Sequence, residues 1–204
     1  MSGLRIGIRS IAAGVLMAAV GISTAAAAQM APAPMKMGAA TTPAVGEKAP
    51  DFALTDLSGS TVKLSDQTAR GPVVLVVLRG WPGYQCPFCT RQFGEYLAHA
   101  SDLGATGAQV VFVYPGPAEG LKAHARTFTA DRPLPGSFRI LLDPDYTFTQ
   151  AYGLRWDAPN ETAYPSTFVL DRSGHVTFVR TSREHGDRVP VADVLAALAA
   201  SSKN

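Results

Sequence analysis

Cys86 and Cys89, the chain's two cysteines, stand with two residues between them in the run PVVLVVLRGWPGYQCPFCTRQFGEY. Pro72 to Leu78 contains no polar residue and predicts a strand covered on both faces. A short loop rich in Gly and Pro then delivers Cys-Pro-Phe-Cys to the start of a predicted helix. A helix start carries partial positive charge and free N–H groups, so a sulfur placed there is stabilised as the reactive thiolate. Pro87 fits an early helical position, where its missing N–H costs nothing. Cys86 is then expected at or before the N-cap and Cys89 inside the first turn, one thiol more exposed than the other. The pattern points to thiol redox chemistry, with a nucleophile and a resolving partner.

Three plainer readings compete. A structural disulfide closing so short a loop restrains the unfolded chain by only about 2 kcal/mol, against about 3 for fifteen residues. A zinc site needs four ligands, and one Cys-x-x-Cys is half of one. His99, His124, His175 and His185 are scattered and supply no second half. Two merely buried thiols would not require a Pro- and Gly-rich loop before a helix. No metal or cofactor is called for.

The elements that must hold the pair read as an α/β domain. Residues 52–57 and 61–64 flank Ser58-Gly59-Ser60 as a hairpin. After the cysteines, Phe93, Tyr96, Leu97, Ala100 and Leu103 recur at helical spacing. Gln109 to Tyr114 is a second buried strand, Ala118 to Ala130 a helix, and Phe138 to Leu142 a third strand with a short helix through Tyr152. Residues 167–170 and 176–179 alternate across a turn ending in Gly174, and Pro190 opens a last helix. A leading hairpin, β-α-β-α-β-α and then β-β-α fit one sheet flanked by helices.

The ends read differently. Arg5 and Arg9, an apolar stretch of about a dozen residues and an Ala-rich ending predict a signal peptide over residues 1–28. Residues 29–45 read as a disordered Ala/Pro/Met linker, and residues 46–204 as the folded domain. Removing Arg5 and Arg9 from the 18 basic residues leaves 16, equal to the 16 acidic ones. A neutral chain without a basic stripe argues against nucleic acid. The expectation is a periplasmic or secreted protein with no stable membrane span after signal removal.

The motifs together resemble the thioredoxin-fold superfamily, and within it the redoxin branch that contains peroxiredoxins (AhpC/TSA family). Pro82, Cys86 and Cys89-Thr90-Arg91-Gln92 stand at the spacings of the redoxin pattern. Asp143-Pro144-Asp145, Ala151-Tyr152-Gly153 and Ser166 to Asp171 with Gly174 are similar to redoxin segments. The resemblance implies a thioredoxin-like fold with a central mixed sheet, preceded by the N-terminal hairpin. It also implies that Cys89 attacks peroxide, becomes sulfenic acid and condenses with Cys86 to a Cys86–Cys89 disulfide. A thioredoxin-like or other dithiol partner would then reduce that disulfide.

Two positions depart from the pattern. Cys86 replaces the threonine that would hydrogen-bond peroxide, and Pro165 stands where the family has an arginine. Arg79 or Arg155 is the candidate replacement charge, and Trp81 a candidate substrate platform. The Cys-x-x-Cys and the Pro-x-Thr-Phe at Pro165 are also similar to TlpA-type thiol–disulfide oxidoreductases. In that branch Cys86 would attack protein disulfides, Cys89 would resolve, and Pro165 would be cis. A minor alternative is a copper binder similar to the Sco branch, motivated by Met30, Met35 and Met37 beside the thiols. Sco proteins have three residues between the cysteines, not two.

Overall fold

The computed structural model of the chain describes Gly3, residues 40–130 and residues 132–201. The expected signal peptide, and the expected linker up to residue 39, lie outside the described residues apart from Gly3.

The sheet is built around the strand that precedes the cysteines. Strand β3 (Val73–Val77) is buried at every position. Its side chains alternate between two cores, Val74 and Val76 in one and Val73, Leu75 and Val77 in the other. That alternation is the two-residue period of a strand, and each fully buried side chain contributes about 1.5–3 kcal/mol.

Helix α2 (Pro87–Ala98) follows β3, and α3 (Ala100–Ala105) continues it after a break at His99. The remaining strands are β1 (Ala53–Asp56), β2 (Thr61–Lys63), β4 (Gln109–Gly116), β5 (Phe138–Pro144), β6 (Ser166–Leu170) and β7 (Val176–Thr181). The remaining helices are α1 (Leu64–Thr68), α4 (Leu121–Thr129), α5 (Thr147–Ala151) and α6 (Val191–Ser201).

The seven strands form one sheet in the order β2-β1-β5-β4-β3-β6-β7. β3, β4 and β5 are parallel, while β6, β7 and the β1–β2 hairpin are antiparallel to their neighbours. The expected mixed sheet flanked by helices is what the chain forms. The leading hairpin joins the sheet through β5.

Helices α2, α4 and α6 cover one face, where Phe93, Tyr96, Phe112 and Phe128 pack around Leu121, Ala125 and Val194. Phe112 meets Phe93 and Tyr96 edge-on, each with ring centroids 5.3 Å apart. The other face carries Leu64, Phe148 and Tyr152.

Two details differ from the sequence reading. Leu64 opens a five-residue helix where a strand end was expected. Asp51, fourteen residues earlier, accepts the Ser65 N–H at 3.0 Å and so supplies a helix-start partner that local periodicity does not reveal. Residues 40–45, expected to be linker, lie against the domain. Pro43 is buried, the Thr42 hydroxyl donates to Gly153 O, and Gly46 N–H donates to Val176 O.

Candidate active site

Cys86 is the N-cap of α2, with extended backbone at φ −71° and ψ 115°, and Pro87 follows in the first helical turn. Its sulfur accepts the Cys89 N–H at 3.4 Å. The geometry is the one proline imposes: helical φ is preset at Pro87, and the free N–H two residues later turns back to the cap.

Both cysteines are free thiols, and both side chains have 0% exposure. The expectation that one would be the more exposed is therefore corrected. The sequence shows the cap position but not the loop that closes over it.

The two sulfurs nonetheless have opposite electrostatics. The Cys86 thiol is lowered from 9.0 to about 5, chiefly because the Cys89 thiol donates to it. Burial opposes this shift, while the Cys89 N–H, Arg188 and Arg79 add to it. The Cys89 thiol is pushed well up, first by burial and then by the hydrogen bond and charge of Cys86, with Arg188 pulling the other way. The two opposite shifts favour a single negative charge on the pair, at Cys86.

Arg79, at the end of β3, is 2% exposed and fully engaged. Its Nε donates to Glu161 at 2.7 Å, Nη1 donates to the Tyr84 hydroxyl at 2.6 Å and Nη2 donates to Asn160 O. It forms a cationic floor whose charge acts on Cys86.

Gly80 turns the chain at φ +64° in contact with Pro115, and the Trp81 N–H donates to Pro115 O at 2.9 Å. Trp81 then stacks on His124 of α4, with centroids 3.6 Å apart and planes 5° from parallel. Pro82 is half-buried in the bend that leads to the cysteines.

Thr90 is exposed and turned away from the sulfurs, its hydroxyl donating to Cys86 O at 3.2 Å. Pro165 is buried, its carbonyl accepts the Ser182 N–H at 2.8 Å, and its peptide bond is trans, which corrects the cis expectation. Arg155 is not brought to the site. It donates to the carbonyls of Trp156, Glu161 and Thr162 and lies 4.1 Å over the Tyr146 ring.

The cation nearest Cys89 comes from elsewhere. Arg188, in the loop between β7 and α6, places Nη2 3.8 Å from Cys89 Sγ and Nη1 3.5 Å from Gln92 Oε1. His185 of the same loop pairs with Glu161 at 2.9 Å. Tyr114 sits beneath the pair; burial raises its hydroxyl, and both cysteines add to the shift. These residues were missed in the sequence. The available signal was the run Arg183-Glu184-His185-Gly186-Asp187-Arg188, in which every residue except glycine is ionisable.

The redoxin family model matches residues 44–198, most of the chain. The chain belongs to the redoxin family. This redoxin is 30% identical over 136 residues to a Mycobacterium tuberculosis protein provisionally named as a peroxiredoxin, covering 64% of this chain and 80% of the relative. It is also 30% identical over 139 residues to the thiol-disulfide oxidoreductase ResA of Geobacillus kaustophilus, covering 68% and 70%.

Among solved structures, a Chlorobium tepidum protein provisionally named thiol:disulfide interchange protein DsbE superposes with a TM-score of 0.57 at 30% identity. The match covers 77% of this redoxin and 99% of that chain. Peroxidoxin BcpB of Mycobacterium tuberculosis shares the fold, with a TM-score of 0.62 at 24% identity over 78% and 97% of the two chains. The redoxin is accordingly a thioredoxin-fold oxidoreductase. Among the described residues no helix is long and apolar enough to cross a membrane.

Proposed function

We propose that this redoxin is a thiol–disulfide oxidoreductase in which Cys86 is the nucleophile and Cys89 the resolving thiol. The observation that carries the reading is the opposite ionisation of the two sulfurs: the N-cap thiol is lowered to about 5, while its partner is pushed well up. The Cys86 thiolate attacks one sulfur of a substrate disulfide, forming a mixed disulfide and expelling the other sulfur as a thiolate. Cys89 then loses its proton and attacks Cys86 Sγ. A Cys86–Cys89 disulfide forms, and the second substrate thiol leaves. A thioredoxin-like or other external dithiol returns the pair to the reduced state by the same exchange.

A second reading is a thiol-dependent peroxidase, with Cys89 attacking peroxide and Cys86 resolving. Arg188 beside Cys89 favours it, since a guanidinium there stabilises a thiolate and the departing oxyanion. The peroxiredoxin relative supports it too.

Single Cys→Ser variants separate the two. In the first reading Cys89→Ser traps mixed disulfides on Cys86, and neither variant forms sulfenic acid quickly with hydrogen peroxide. Rapid sulfenic acid at Cys89 in Cys86→Ser establishes the second.

The place of action is proposed as outside the cytoplasm, on the basic start, short apolar stretch and Ala-rich ending of residues 1–28. The mature domain is then preceded by the Ala/Pro/Met tether. Mass determination of the exported protein tests cleavage after Ala28.

A further inference from the structure

The loop of residues 182–190 lies against the thiol pair, with Arg188 at Cys89 and Gly186 at Phe88. Arg188 reaches Cys89 and Gln92, and its Nε donates to the His185 backbone carbonyl at 2.8 Å, which ties the two positions into one turn. Gly186 packs so close to the Phe88 ring that a Cβ there would stand 3.3 Å from it. His185 lies against Trp156, with centroids 5.3 Å apart.

A polar tie between the loop and the segment below is the 2.9 Å contact of His185 Nε2 with Glu161 Oε1. The other oxygen of the same carboxylate accepts from Arg79 at 2.7 Å, and Glu161 is only 12% exposed. One nearly buried anion therefore joins the cation beneath the pair to the loop above it.

We propose that Glu161 is a positioning residue for the thiol pair: held from below by Arg79, it clasps His185 and so keeps the Arg188 guanidinium against Cys89. The inference rests on the reading of Cys86 as the ionising thiol. The ionisable groups facing the pair are Arg79 and Tyr114 from the sheet, Glu161 from the segment before β6, and His185 and Arg188 from the loop.

The sign of the effect distinguishes positioning from direct electrostatics. Removing the Glu161 charge while everything else stays in place makes the surroundings more positive and lowers the Cys86 midpoint. Releasing the loop withdraws Arg188 and raises it.

The experiment is the pH profile of iodoacetamide alkylation of the reduced, full-length protein. The expected result is a Cys86 midpoint about one pH unit higher in Glu161→Gln, corresponding to about a tenfold loss of thiolate below the midpoint. His185→Ala severs the clasp while leaving the Arg79–Glu161 pair in place. It is expected to give the same rise, and it carries the test if Glu161→Gln does not fold.

In an Arg188→Gln background the Glu161→Gln rise is expected to vanish. An unchanged or lowered midpoint in the single variants overturns the proposal, as does a full rise that persists without Arg188. The underlying reading fails separately, if the low midpoint of the wild type survives in Cys86→Ser.

Discussion

Arg188 and Cys89 are 99 positions apart in the chain, yet the guanidinium Nη2 stands 3.8 Å from the sulfur. Pro165 stands where the redoxin pattern has its arginine, and in this chain the cation beside Cys89 comes from the β7–α6 loop instead. Both cysteines have 0% exposure.

Arg188 stabilises negative charge on either sulfur. Arg188→Gln is expected to raise the Cys86 midpoint by about one pH unit, the low end of what an adjacent opposite charge does. Thiolate absorbance near 240 nm across a pH titration reads it. A midpoint that does not move leaves the stabilisation to the hydrogen bonds from Cys89 and the charge of Arg79.

The ionisation of Cys86 also makes the stability of the reduced protein depend on pH. Its folded midpoint, about 5, lies below the ordinary value of 9.0. A group lowered on folding stabilises the fold fully above the unfolded value, and that contribution is lost as pH falls through the folded value. The melting temperature of reduced wild type, relative to Cys86→Ser, is therefore expected to climb between pH 5 and pH 9. Calorimetry in the presence of reductant checks it, and a pH-independent difference contradicts the assignment.

A stabilised Cys86 thiolate favours the dithiol over the disulfide. The pair is accordingly expected to be a weaker reductant than thioredoxin, with a potential above about −270 mV. Equilibration in glutathione buffers, followed by alkylation and mass analysis, measures it.

Gly80 sets the path from β3 into the cysteine loop. Its φ is +64°, and an added Cβ would collide with the Pro115 carbonyl, which is rigid backbone. Gly80→Ala is expected to cost about 2–4 kcal/mol, from positive-φ strain and the displaced strand end. Thermal melting reads this as a fall of several degrees, and alkylation of the cysteines should lose its low midpoint at the same time.

Much of this protein is legible in its sequence. The all-apolar run Pro72 to Leu78, the Gly- and Pro-rich loop after it and Pro87 between the cysteines are local signals, and local signals dictate strand, loop and helix start. For the same reason Cys86 could be placed at or before the N-cap, and one sheet flanked by helices followed from the order of the elements, while its mixed character was implied by the redoxin resemblance. The bend at His99 and the short helix at Leu64 could not, because they depend on contacts such as the one Asp51 makes with Ser65.

What the tertiary structure alone decided is the surroundings of the two thiols, which favour the thiolate at Cys86. Trp81 is stacked on His124, Thr90 faces solvent, Arg155 braces the backbone of the segment that carries Glu161 without reaching the sulfurs, and Glu161, His185 and Arg188 take up the site. Ion pairs and burial have no sequence period. They arise where β3, β6 and the β7–α6 loop meet, and that meeting is set by strand order, which packing of the whole core selects.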